Sequence, residues 1–539
     1  MKTFYNKISS ALEEVVKKKY GISLNYPLWE LPPKQEFGDL SSMVALKLGS
    51  KLKEDPLDIA AQIKKSLEKT LSGYIERIEI LRPGFINIFI SKEALIDSLN
   101  KILKIKGDFF RTRIKKKVLL EFLSANPTGP LSVAHGRQAV IGDVIANILE
   151  FFSNNVTREY YINDSGKQID LLAASVLSAV SSLMKPKREI EAPKNGYKGE
   201  YIKDIAEAVL MNRDWQKNPE DFNLKGFSLG YILALIRKDL NSLGIEFDNW
   251  VSQRDLIEEK KVDEAIEILR KRTFVYEKED ALWFAATRFG DDKDRVLRKA
   301  DGELTYFASD IAYHKDKLER KHNELINLWG PDHHGYIKRV ESAIAGLKYK
   351  KDILKIVIIQ LVSLKTKEKM SRRAGTAVLL CDLINSVGKD TTRFYYLTRR
   401  NSSHLEFDID LAKEVSFNNP LYYIQYACAR IESIFKKAKV SSFHSEFSKF
   451  LTDDEDIALL RTLLQFSHCL DKAYYSLEPI FIIEFLKNLA SSFHKFYEKK
   501  RVLEEDKNIK KARLNLLLGV REVLHCALKL LGIAPVEKM

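Results

Sequence analysis

The chain has 539 residues, 45% of them hydrophobic, which predicts a globular protein of two to four domains with buried cores. Its 88 Lys and Arg residues exceed its 74 Asp and Glu residues by 14, which suits a polyanionic partner such as RNA and equally suits plain solubility. The sequence contains no 18-residue apolar stretch, so a membrane-spanning protein is not expected.

The cysteines and the N-terminus indicate a reducing compartment. The four cysteines are Cys381, Cys428, Cys469 and Cys526. They are scattered without a CxxC pair, which favours free thiols over a zinc site or a disulfide framework. Residues 1–20 alternate apolar and charged side chains as an amphipathic helix does and lack the apolar core of a signal peptide. We therefore expect a cytoplasmic protein without protein-bound zinc.

The first predicted domain is a small α/β domain over residues 1–110. Helical periodicity covers residues 4–19 and 56–70. Ile78–Ile90 then predicts two strands around the turn signal Pro83-Gly84.

The second predicted domain covers residues 111–404 and begins as a parallel nucleotide-binding sheet does. Residues 117–123 form a short apolar run typical of a buried strand, and a loop rich in Pro and Gly follows. Apolar residues then recur at helical spacing over 135–152, and Val156–Ile162 predicts the next strand. This order of strand, loop, helix and strand is typical of a doubly wound sheet.

The remaining elements are predicted in less detail. Leu325–Trp329 and Ile353–Val362 are candidates for later strands of the sheet. A stretch rich in Leu and Ile near 167–272 predicts a largely helical insertion, whose limits the pattern does not define. Over residues 405–539 the apolar side chains follow a helical period, which predicts a helical bundle.

The loop after the first buried strand, ANPTGPLSVAH at 125–135, is a candidate polyphosphate site. Free backbone N–H groups and the dipole of the following helix both favour an anion there. His135 lies at the start of that helix, where an imidazole can donate to an α-phosphate. A strand-to-helix turn without a ligand is the alternative. The candidate ATP-binding residues of this loop are Asn126, Pro127, Thr128, Gly129, Pro130, Ser132 and His135.

A second candidate segment, KMSRR at 369–373, lies in the polar stretch 366–375. Such a stretch is predicted to be a mobile loop. Its cations would clamp the β- and γ-phosphates and the charge that develops as pyrophosphate leaves. A solvated basic loop is the alternative. The candidate residues for ATP binding or catalysis are Lys369, Met370, Ser371 and Arg372.

Together and in this order, the two motifs resemble the signatures of class I aminoacyl-tRNA synthetases. The first class signature is His-x-Gly-His, and this chain has Ser132 and Ala134 in place of the first His and the Gly. The second is Lys-Met-Ser-Lys, and Arg372 replaces the second Lys, which keeps the charge but not the shape. The resemblance implies that His135, with Ser132, holds the α-phosphate region. It also implies that Lys369 and Arg372 stabilise the departing pyrophosphate.

Within that class, the chain resembles bacterial arginyl-tRNA synthetases over nearly its whole length. The resemblance implies an α/β fold with a Rossmann-like parallel-sheet catalytic domain, a small α/β N-terminal domain at the tRNA elbow and an all-α anticodon-binding bundle. It implies ATP-dependent activation of L-arginine with Mg²⁺ on the phosphates, transfer of arginine to the 3′ end of tRNA(Arg), and a monomer. The matching segments are Glu121–Asn126, Arg158–Asp164, Gly290–Val296, Thr305–His314, Trp329–Gly335, Tyr423–Arg430, Phe493–Tyr497 and Arg501–Leu503.

The chemistry of arginine selection agrees with this resemblance. A guanidinium group needs planar carboxylate acceptors in a site closed to water. Glu121 lies within a buried-strand pattern, and Asp310 follows Tyr306 by four residues, so on a helix the two share a face. The alternatives are an ion pair between Glu121 and a neighbouring Lys or Arg, and core packing for Tyr306. The resemblance implies that the arginine-binding residues are Glu121, Ser124, Asn126, Tyr306, Asp310 and Asp332.

The helical C-terminal end offers candidate tRNA contacts, because tyrosine rings and an arginine there suit unpaired bases. Core packing of these tyrosines is the alternative. His333 and His334 are adjacent without a third spaced ligand, so no metal site is expected. The candidate tRNA-binding residues are Tyr422, Tyr423, Tyr426 and Arg430.

Three other functions remain open from the sequence. A catalytically silent relative that only binds tRNA is the main one, since the first signature is altered. A class I synthetase for another amino acid is a second alternative, and one for cysteine should show thiol and imidazole zinc ligands, which this pattern lacks. A nucleotidyltransferase that acts without tRNA would not need the helical C-terminal domain.

Overall fold

The computed structural model describes residues 4–24, 28–111, 114–184, 190–365, 378–439 and 443–539. The chain forms two compact units. The first comprises residues 1–113, 151–153 and 414–539, and the second comprises residues 114–150 and 154–413. Across the described ranges, none of the helices is both long and apolar enough to cross a bilayer.

The N-terminal part of the first unit is a small α/β structure. Its antiparallel sheet has the strand order β1-β3-β2, and the predicted strands around Pro83-Gly84 and the predicted helices near 4–19 and 56–70 are confirmed. The elements are α1 (Phe4–Tyr20), β1 (Leu40–Ser42), α2 (Val44–Leu52), α3 (Pro56–Thr70), β2 (Ile75–Leu81), β3 (Phe85–Ile90) and α4 (Lys92–Ile105).

The second unit contains three β-sheets and the helices that pack on them. Its strands are β4 (Lys117–Glu121), β5 (Asn155–Ile162), β6 (Asn249–Ser252), β7 (Val275–Lys278), β8 (Ala281–Phe284), β9 (Arg295–Arg298), β10 (Glu324–Trp329), β11 (Leu354–Ile358), β12 (Val362–Lys365) and β13 (Leu405–Asp408). Its helices are α5 (Val133–Phe151), α6 (Lys167–Met184), α7 (Glu200–Met211), α8 (Arg213–Lys217), α9 (Leu224–Leu243), α10 (Gln253–Glu258), α11 (Lys261–Lys271), α12 (Tyr306–Glu319), α13 (Ile337–Gly346), α14 (Leu380–Val387), α15 (Lys389–Tyr396) and α16 (Ile409–Lys413).

The main sheet is parallel, with the strand order β11-β10-β4-β5-β6. The order reverses between β4 and β10, and in open α/β sheets ligands bind outside the carboxyl ends of the strands at such a point. The register places Glu121, the last residue of β4, opposite Asn327 of β10 and Glu159 of β5. The sheet therefore brings polar side chains from its three central strands to one position.

The sheet contains one strand that the sequence pattern did not predict. Residues 249–252 lie within the stretch expected to be a largely helical insertion, yet they form β6, an edge strand of the main sheet. The segment NWVS has four residues, which is too short to show a strand period. The predicted strands Val156–Ile162 and Leu325–Trp329 correspond to β5 and β10. The predicted strand Ile353–Val362 is confirmed only in part, because β11 covers Leu354–Ile358 and Val362 begins β12, which pairs with β13 in another sheet.

The core of the second unit lies between the sheet and helices α11 to α13. Leu119 of β4 and Leu325 of β10 are fully buried there. On the other central helix, α5, a Cβ atom at Gly142 would lie 2.2 Å from Cγ of Phe122, so the helix can approach the end of β4 closely. The close approach places the start of α5 beside the end of β4.

Two smaller sheets complete the second unit. Strands β7, β8 and β9 form an antiparallel sheet, while β12 pairs in parallel with β13. Residues 405–413, predicted as part of the C-terminal domain, lie in this unit because β13 and α16 belong to it.

The C-terminal part of the first unit is helical, as predicted. Asp39 of the N-terminal part forms an ion pair with Arg461, and the Tyr5 hydroxyl lies 3.0 Å from Nδ1 of His468. A partly buried ion pair and a buried hydrogen bond thus join the two parts of this unit. The helices are α17 (Pro420–Ala438), α18 (Asp454–Leu464), α19 (Phe466–Ser476), α20 (Ile480–Lys499) and α21 (Lys507–Leu530).

Candidate active site

The loop that joins β4 to α5, residues 122–132, is called the nucleotide loop below. Three tyrosine hydroxyls donate to backbone carbonyl oxygens in or beside it. The distances are 2.8 Å from Tyr160 to Ala125, 3.0 Å from Tyr201 to Thr128 and 2.8 Å from Tyr396 to Val133. The loop backbone is therefore held from a strand and from two helices.

A carboxylate holds the same loop through a backbone donor. Asp239 of α9 is buried and accepts a hydrogen bond from the Leu131 N–H. Burial raises the pKa of Asp239 to about 6. Helices α7 and α9, which belong to the predicted insertion, thus both reach the nucleotide loop.

His135 is oriented by its neighbour in the altered signature. The Ser132 N–H donates to Nδ1 of His135 at 3.1 Å, and the Ser132 hydroxyl lies 3.2 Å from the same atom. Burial lowers the pKa of His135, so the ring is neutral near pH 7. Since Nδ1 accepts, the ring proton is on Nε2, which leaves an N–H donor at the N-terminus of α5.

Glycine is required at Gly136 because α5 is crowded there. A Cβ atom at Gly136 would lie 2.5 Å from Cδ1 of Leu380 and 2.7 Å from the Tyr396 hydroxyl oxygen. Real Cβ atoms do not approach other atoms so closely, so a larger residue would force the side chains of Leu380 and Tyr396 to move. The first turn of α5 therefore packs closely against the side chains of Leu380 and Tyr396.

The residues that follow the second sequence motif contact the first. The Val133 N–H donates to the carbonyl oxygen of Val378 at 3.1 Å, and the Leu380 N–H donates to that of Leu131 at 2.8 Å. This pairing anchors the chain after the basic motif beside His135. The candidates Lys369, Met370, Ser371 and Arg372 themselves lie outside the described residues.

Glu121 is buried and forms an ion pair. The Lys317 ammonium group donates to Oε2 of Glu121 at 2.5 Å, and the Ser124 hydroxyl donates to Oε1 at 3.0 Å. The alternative considered from the sequence, an ion pair with a neighbouring cation, is thus present in the structure. The hydrogen bond from Ser124 also places two of the candidates for arginine binding, Ser124 and Glu121, in direct contact.

Asp310 lies near Glu121 and is hydrogen-bonded to a tyrosine. The Tyr336 hydroxyl donates to Oδ2 of Asp310. Burial raises the pKa of Asp310 to about 6. The Glu121 charge adds to this rise, while the hydrogen bond from Tyr336 and the Lys317 charge oppose it. The two carboxylates are therefore close enough to interact.

Tyr306 begins α12, one turn before Asp310, as the spacing predicted. Its side chain is 60% exposed, so it is not a core residue. The candidate arginine pocket, called the arginine pocket for short, comprises Glu121, Ser124, Tyr306 and Asp310.

Tyr161 was not predicted as a site residue, although it lies among these carboxylates. Burial raises its pKa, and the charges of Asp310, Glu121 and Asp164 raise it further. Its ring stacks on that of Tyr313 with centroids 4.3 Å apart. The sequence signal that could have identified Tyr161 is its position near the end of β5, because parallel sheets bind ligands at the carboxyl ends of their strands.

The candidates for the amino acid head group lie at the surface. Asn126 is exposed and its Oδ1 accepts from Nδ2 of Asn163 at 3.3 Å. Asp332 follows β10 and lies 3.2 Å from Nδ1 of His333. Among the described residues, no group of three or more His, Cys, Asp and Glu side chains is arranged to hold a metal ion.

The candidate tRNA contacts of the first unit form an aromatic cluster. Tyr422, Tyr423 and Tyr426 are half-buried rather than core residues. The Arg430 guanidinium lies over the ring of Tyr426 at 5.0 Å and over that of Tyr497 at 5.4 Å.

Two members of the aromatic cluster were missed from the sequence. Phe417 is 58% exposed and contacts all three tyrosines and His494. Phe417 precedes the helix that carries the tyrosines, and His494 comes from α20, so no local spacing relates them. The cluster is Phe417, Tyr422, Tyr423, Tyr426 and His494.

Models of three protein families match the chain. The arginyl tRNA synthetase N-terminal domain matches residues 2–90. The catalytic domain of class I tRNA synthetases (R) matches residues 98–405, and the DALR anticodon binding domain matches residues 424–539.

Full-length relatives agree with these matches. The chain is 40% identical to an arginine–tRNA ligase of Thermotoga maritima, with 99% of this chain and 100% of that one covered. It is 38% identical to an arginine–tRNA ligase of Aquifex aeolicus, with 98% of each covered. The fold matches that of the Thermus thermophilus arginyl-tRNA synthetase with a TM-score of 0.80 over all of both chains, at 21% identity. The chain therefore belongs to the arginyl-tRNA synthetase family, the class I arginine–tRNA ligases.

Proposed function

We propose that the chain activates L-arginine with ATP at the carboxyl end of the main sheet and transfers it to tRNA(Arg), with the sequence candidates in the following roles. The arrangement of Glu121 and His135 carries the proposal. One residue ends β4 and the other lies in the first turn of α5, so a single loop joins an acceptor for a guanidinium to a donor for a phosphate. The activation step needs both groups, because its two substrates, arginine and ATP, carry a guanidinium and phosphates.

The arginine pocket would bind the substrate side chain. Glu121 and Asp310 supply carboxylate acceptors, and the exposed Tyr306 ring lies one turn from Asp310 on α12. Ser124 would contribute to the pocket through Glu121, because its hydroxyl donates to Oε1 of that carboxylate. Asn126 and Asp332, which are exposed beside this pocket's elements, would bind the α-amino and carboxylate groups.

The nucleotide loop would bind ATP. Asn126, Pro127, Thr128, Gly129 and Pro130 supply a turn whose backbone is held by tyrosine hydroxyls and by Asp239. Mg²⁺ would enter with ATP on its phosphates.

His135 would donate from Nε2 to the α-phosphate as the arginine carboxylate attacks the α-phosphorus in line. The bond between the α-phosphorus and the oxygen that bridges the α- and β-phosphates breaks. Pyrophosphate leaves with the electron pair of that bond. Lys369 and Arg372 would stabilise that charge, with Met370 and Ser371 beside the nucleotide. Catalysis of this kind consists mainly of positioning and charge stabilisation.

The second step would join the arginyl group to tRNA(Arg). A terminal ribose hydroxyl attacks the carbonyl carbon of arginyl-adenylate, and AMP leaves. The aromatic cluster with Arg430 would contact unpaired anticodon-region bases, since such rings provide stacking faces and the guanidinium provides charge. The N-terminal α/β part would contact the tRNA elbow.

Aminoacylation tests the proposal directly. Cognate tRNA would be incubated with ATP, Mg²⁺ and labelled arginine, in parallel with each of the other nineteen amino acids. Charging by arginine alone is expected, and Glu121→Gln should raise the KM for arginine. Charging by another amino acid would overturn the assigned pocket.

ATP–pyrophosphate exchange with tRNA present separates the enzyme from a silent tRNA-binding relative. Exchange that requires arginine supports the enzyme. Folded protein that binds tRNA without exchange would favour the relative, whose supporting observation is Ser132 in place of the first signature histidine.

A monomer and a cytoplasmic location are proposed from the family resemblance. Sedimentation of the full chain with and without tRNA would test the first. A zinc-free protein is expected, and elemental analysis of the purified chain would test it.

A further inference from the structure

Lys317 is a fully buried cation beside the arginine pocket. Its side chain has no exposed surface, and its ammonium group donates to Oε2 of Glu121 at 2.5 Å and to Oδ1 of Asn327 at 3.0 Å. The same group lies 4.2 Å above the ring of Tyr313. Burial of a lysine is costly unless the charge is paired and hydrogen-bonded, so these partners account for its position.

The partners of Lys317 lie at the reversal point of the main sheet. Glu121 and Asn327 are directly opposite each other in the register of β4 and β10. Lys317 thus joins the two strands between which ligands bind in sheets of this type.

The helix that carries Lys317 also carries the second carboxylate of the pocket. Asp310 precedes Lys317 by seven residues on α12, and positions two turns apart share a helix face. The charge of Lys317 also reaches Asp310, where it favours the ionised carboxylate. Helix α12 therefore supplies one carboxylate acceptor, Asp310. Through Lys317, two turns later, it also fixes the other carboxylate, Glu121.

The Glu121 carboxylate is held at both oxygens. Ser124 donates to Oε1, and the Ser124 oxygen itself accepts the Tyr161 N–H at 3.1 Å. Lys317 holds Oε2. Each carboxylate oxygen has a further lone pair, so the group remains able to accept from a guanidinium while its orientation is fixed.

We propose that Lys317 is a positioning and specificity-determining residue for arginine, which acts by orienting Glu121 and by compensating one of the two pocket carboxylates. The other carboxylate is then compensated by the guanidinium of the substrate. The inference rests on the proposed role of Glu121 in arginine binding. A purely structural ion pair would stabilise the fold without a selective effect on arginine.

A double-mutant cycle tests this inference. The variants are Glu121→Gln, Lys317→Met and the two combined, and the measurement is ATP–pyrophosphate exchange with tRNA present. KM values for arginine and for ATP are determined separately. Lys315→Met is the matched control, because Lys315 lies on the same helix and is nearly buried, but pairs with Glu319 and Glu264.

Each single variant of the cycle should raise the KM for arginine by about 10- to 100-fold, the range for loss of a hydrogen bond to a charged group. The KM for ATP should change less than threefold, roughly. The double variant should be no worse than Glu121→Gln alone, because Lys317 acts through Glu121. Lys315→Met should leave both KM values unchanged.

Two results would overturn the inference, and they differ from failure of the proposed function. Additive effects of the two substitutions on the KM for arginine would show that Lys317 does not act through Glu121. Equal rises in both KM values would show a structural role. If Glu121→Gln leaves the KM for arginine unchanged, the pocket assignment itself fails.

Lys317→Gln covers the case in which Lys317→Met does not fold. The amide keeps a donor for Glu121 but removes the charge. Its KM for arginine should lie between those of the parent chain and of Glu121→Gln, while an unchanged KM would contradict a role for the charge. Thermal melting of all variants separates lost stability from lost affinity.

Discussion

The Tyr201 hydroxyl donates to the carbonyl oxygen of Thr128 at 3.0 Å, across 73 residues of sequence. Tyr201 lies in α7, within the predicted helical insertion, and Thr128 lies in the nucleotide loop. A Cβ atom at Gly129 would lie 3.3 Å from the Tyr201 hydroxyl oxygen, which is a tight contact, so glycine favours this close approach. The insertion therefore takes part in shaping the proposed ATP site.

Tyr201→Phe is predicted to raise the KM for ATP about 2- to 10-fold, the range for one neutral hydrogen bond. The ring and its packing are retained, so the change removes only the hydroxyl that fixes Thr128. The KM for arginine should not change, because Tyr201 hydrogen-bonds to the nucleotide loop and not to a side chain of the arginine pocket. Pyrophosphate exchange at varied ATP concentration measures the effect.

Tyr231→Phe is the control for Tyr201→Phe. Tyr231 lies in α9 of the same insertion and is half-buried. Equal changes in the two variants, or a shift in the KM for arginine instead, would refute a local effect on the nucleotide loop.

The elements that position the site were predictable where the signal is local. The apolar run of β4, the turn residues after it and the helical period of α5 predicted the strand, the loop and the helix. The spacing of Tyr306 and Asp310 likewise placed both on one face of α12, because a helix repeats every 3.6 residues.

The partners that complete the site could not be predicted, because they come from distant segments. Lys317 contacts a glutamate 196 residues earlier, and Tyr201 contacts a loop 73 residues earlier. Only the order of strands in the sheet and the packing of the helices bring them together. β6 was missed for a different reason, since four residues show no period.

The KM for arginine is predicted to rise as the pH falls below about 6. Burial raises the pKa of Asp310 to about 6, so the carboxylate is ionised above that pH and protonated below it. A protonated carboxyl no longer pairs with a guanidinium, so kcat/KM for arginine should fall about tenfold per pH unit on the acid side. The profile should be measured from pH 5 to 8 at constant ionic strength.

Asp310→Asn separates this titration from others. Asp239 has a pKa of about 6 as well, but it contacts Leu131 of the nucleotide loop, so its protonation should affect the KM for ATP. In Asp310→Asn the KM for arginine should be raised at every pH and should not vary between pH 5 and 7.5. A retained acid-side slope in that variant would assign the titration to another group.

His135→Ala is predicted to lower kcat for pyrophosphate exchange by about 100-fold, the lower end of the effect of losing one preorganised donor. Ser132→Ala should lower it less than about threefold, because Nδ1 of His135 is held by the Ser132 backbone N–H, which alanine retains. Rates at saturating ATP, arginine and tRNA measure both. Comparable losses in the two variants would show that the Ser132 hydroxyl, not the backbone, has the main role.

Phe417→Ala is predicted to raise the KM for tRNA in aminoacylation by about 5- to 100-fold, since stacking of a base on an aromatic ring contributes about 1–3 kcal/mol. Phe417 is the exposed centre of the aromatic cluster, with its ring centroid 5.1 Å from that of Tyr426 and 5.6 Å from that of Tyr423. Its removal deletes one face and loosens the tyrosines. The KM values for arginine and ATP at saturating tRNA should not change.

Val415→Ala is the matched control for Phe417→Ala, because Val415 is 79% exposed, lies two residues earlier and is not aromatic. It should leave the KM for tRNA unchanged, whereas Phe417→Tyr should retain most of the affinity because a ring face remains. If Val415→Ala and Phe417→Ala raise the KM equally, exposed apolar surface rather than stacking accounts for the effect. If neither variant changes it, base stacking on the aromatic cluster is refuted, and the role of Arg430 would have to be tested separately.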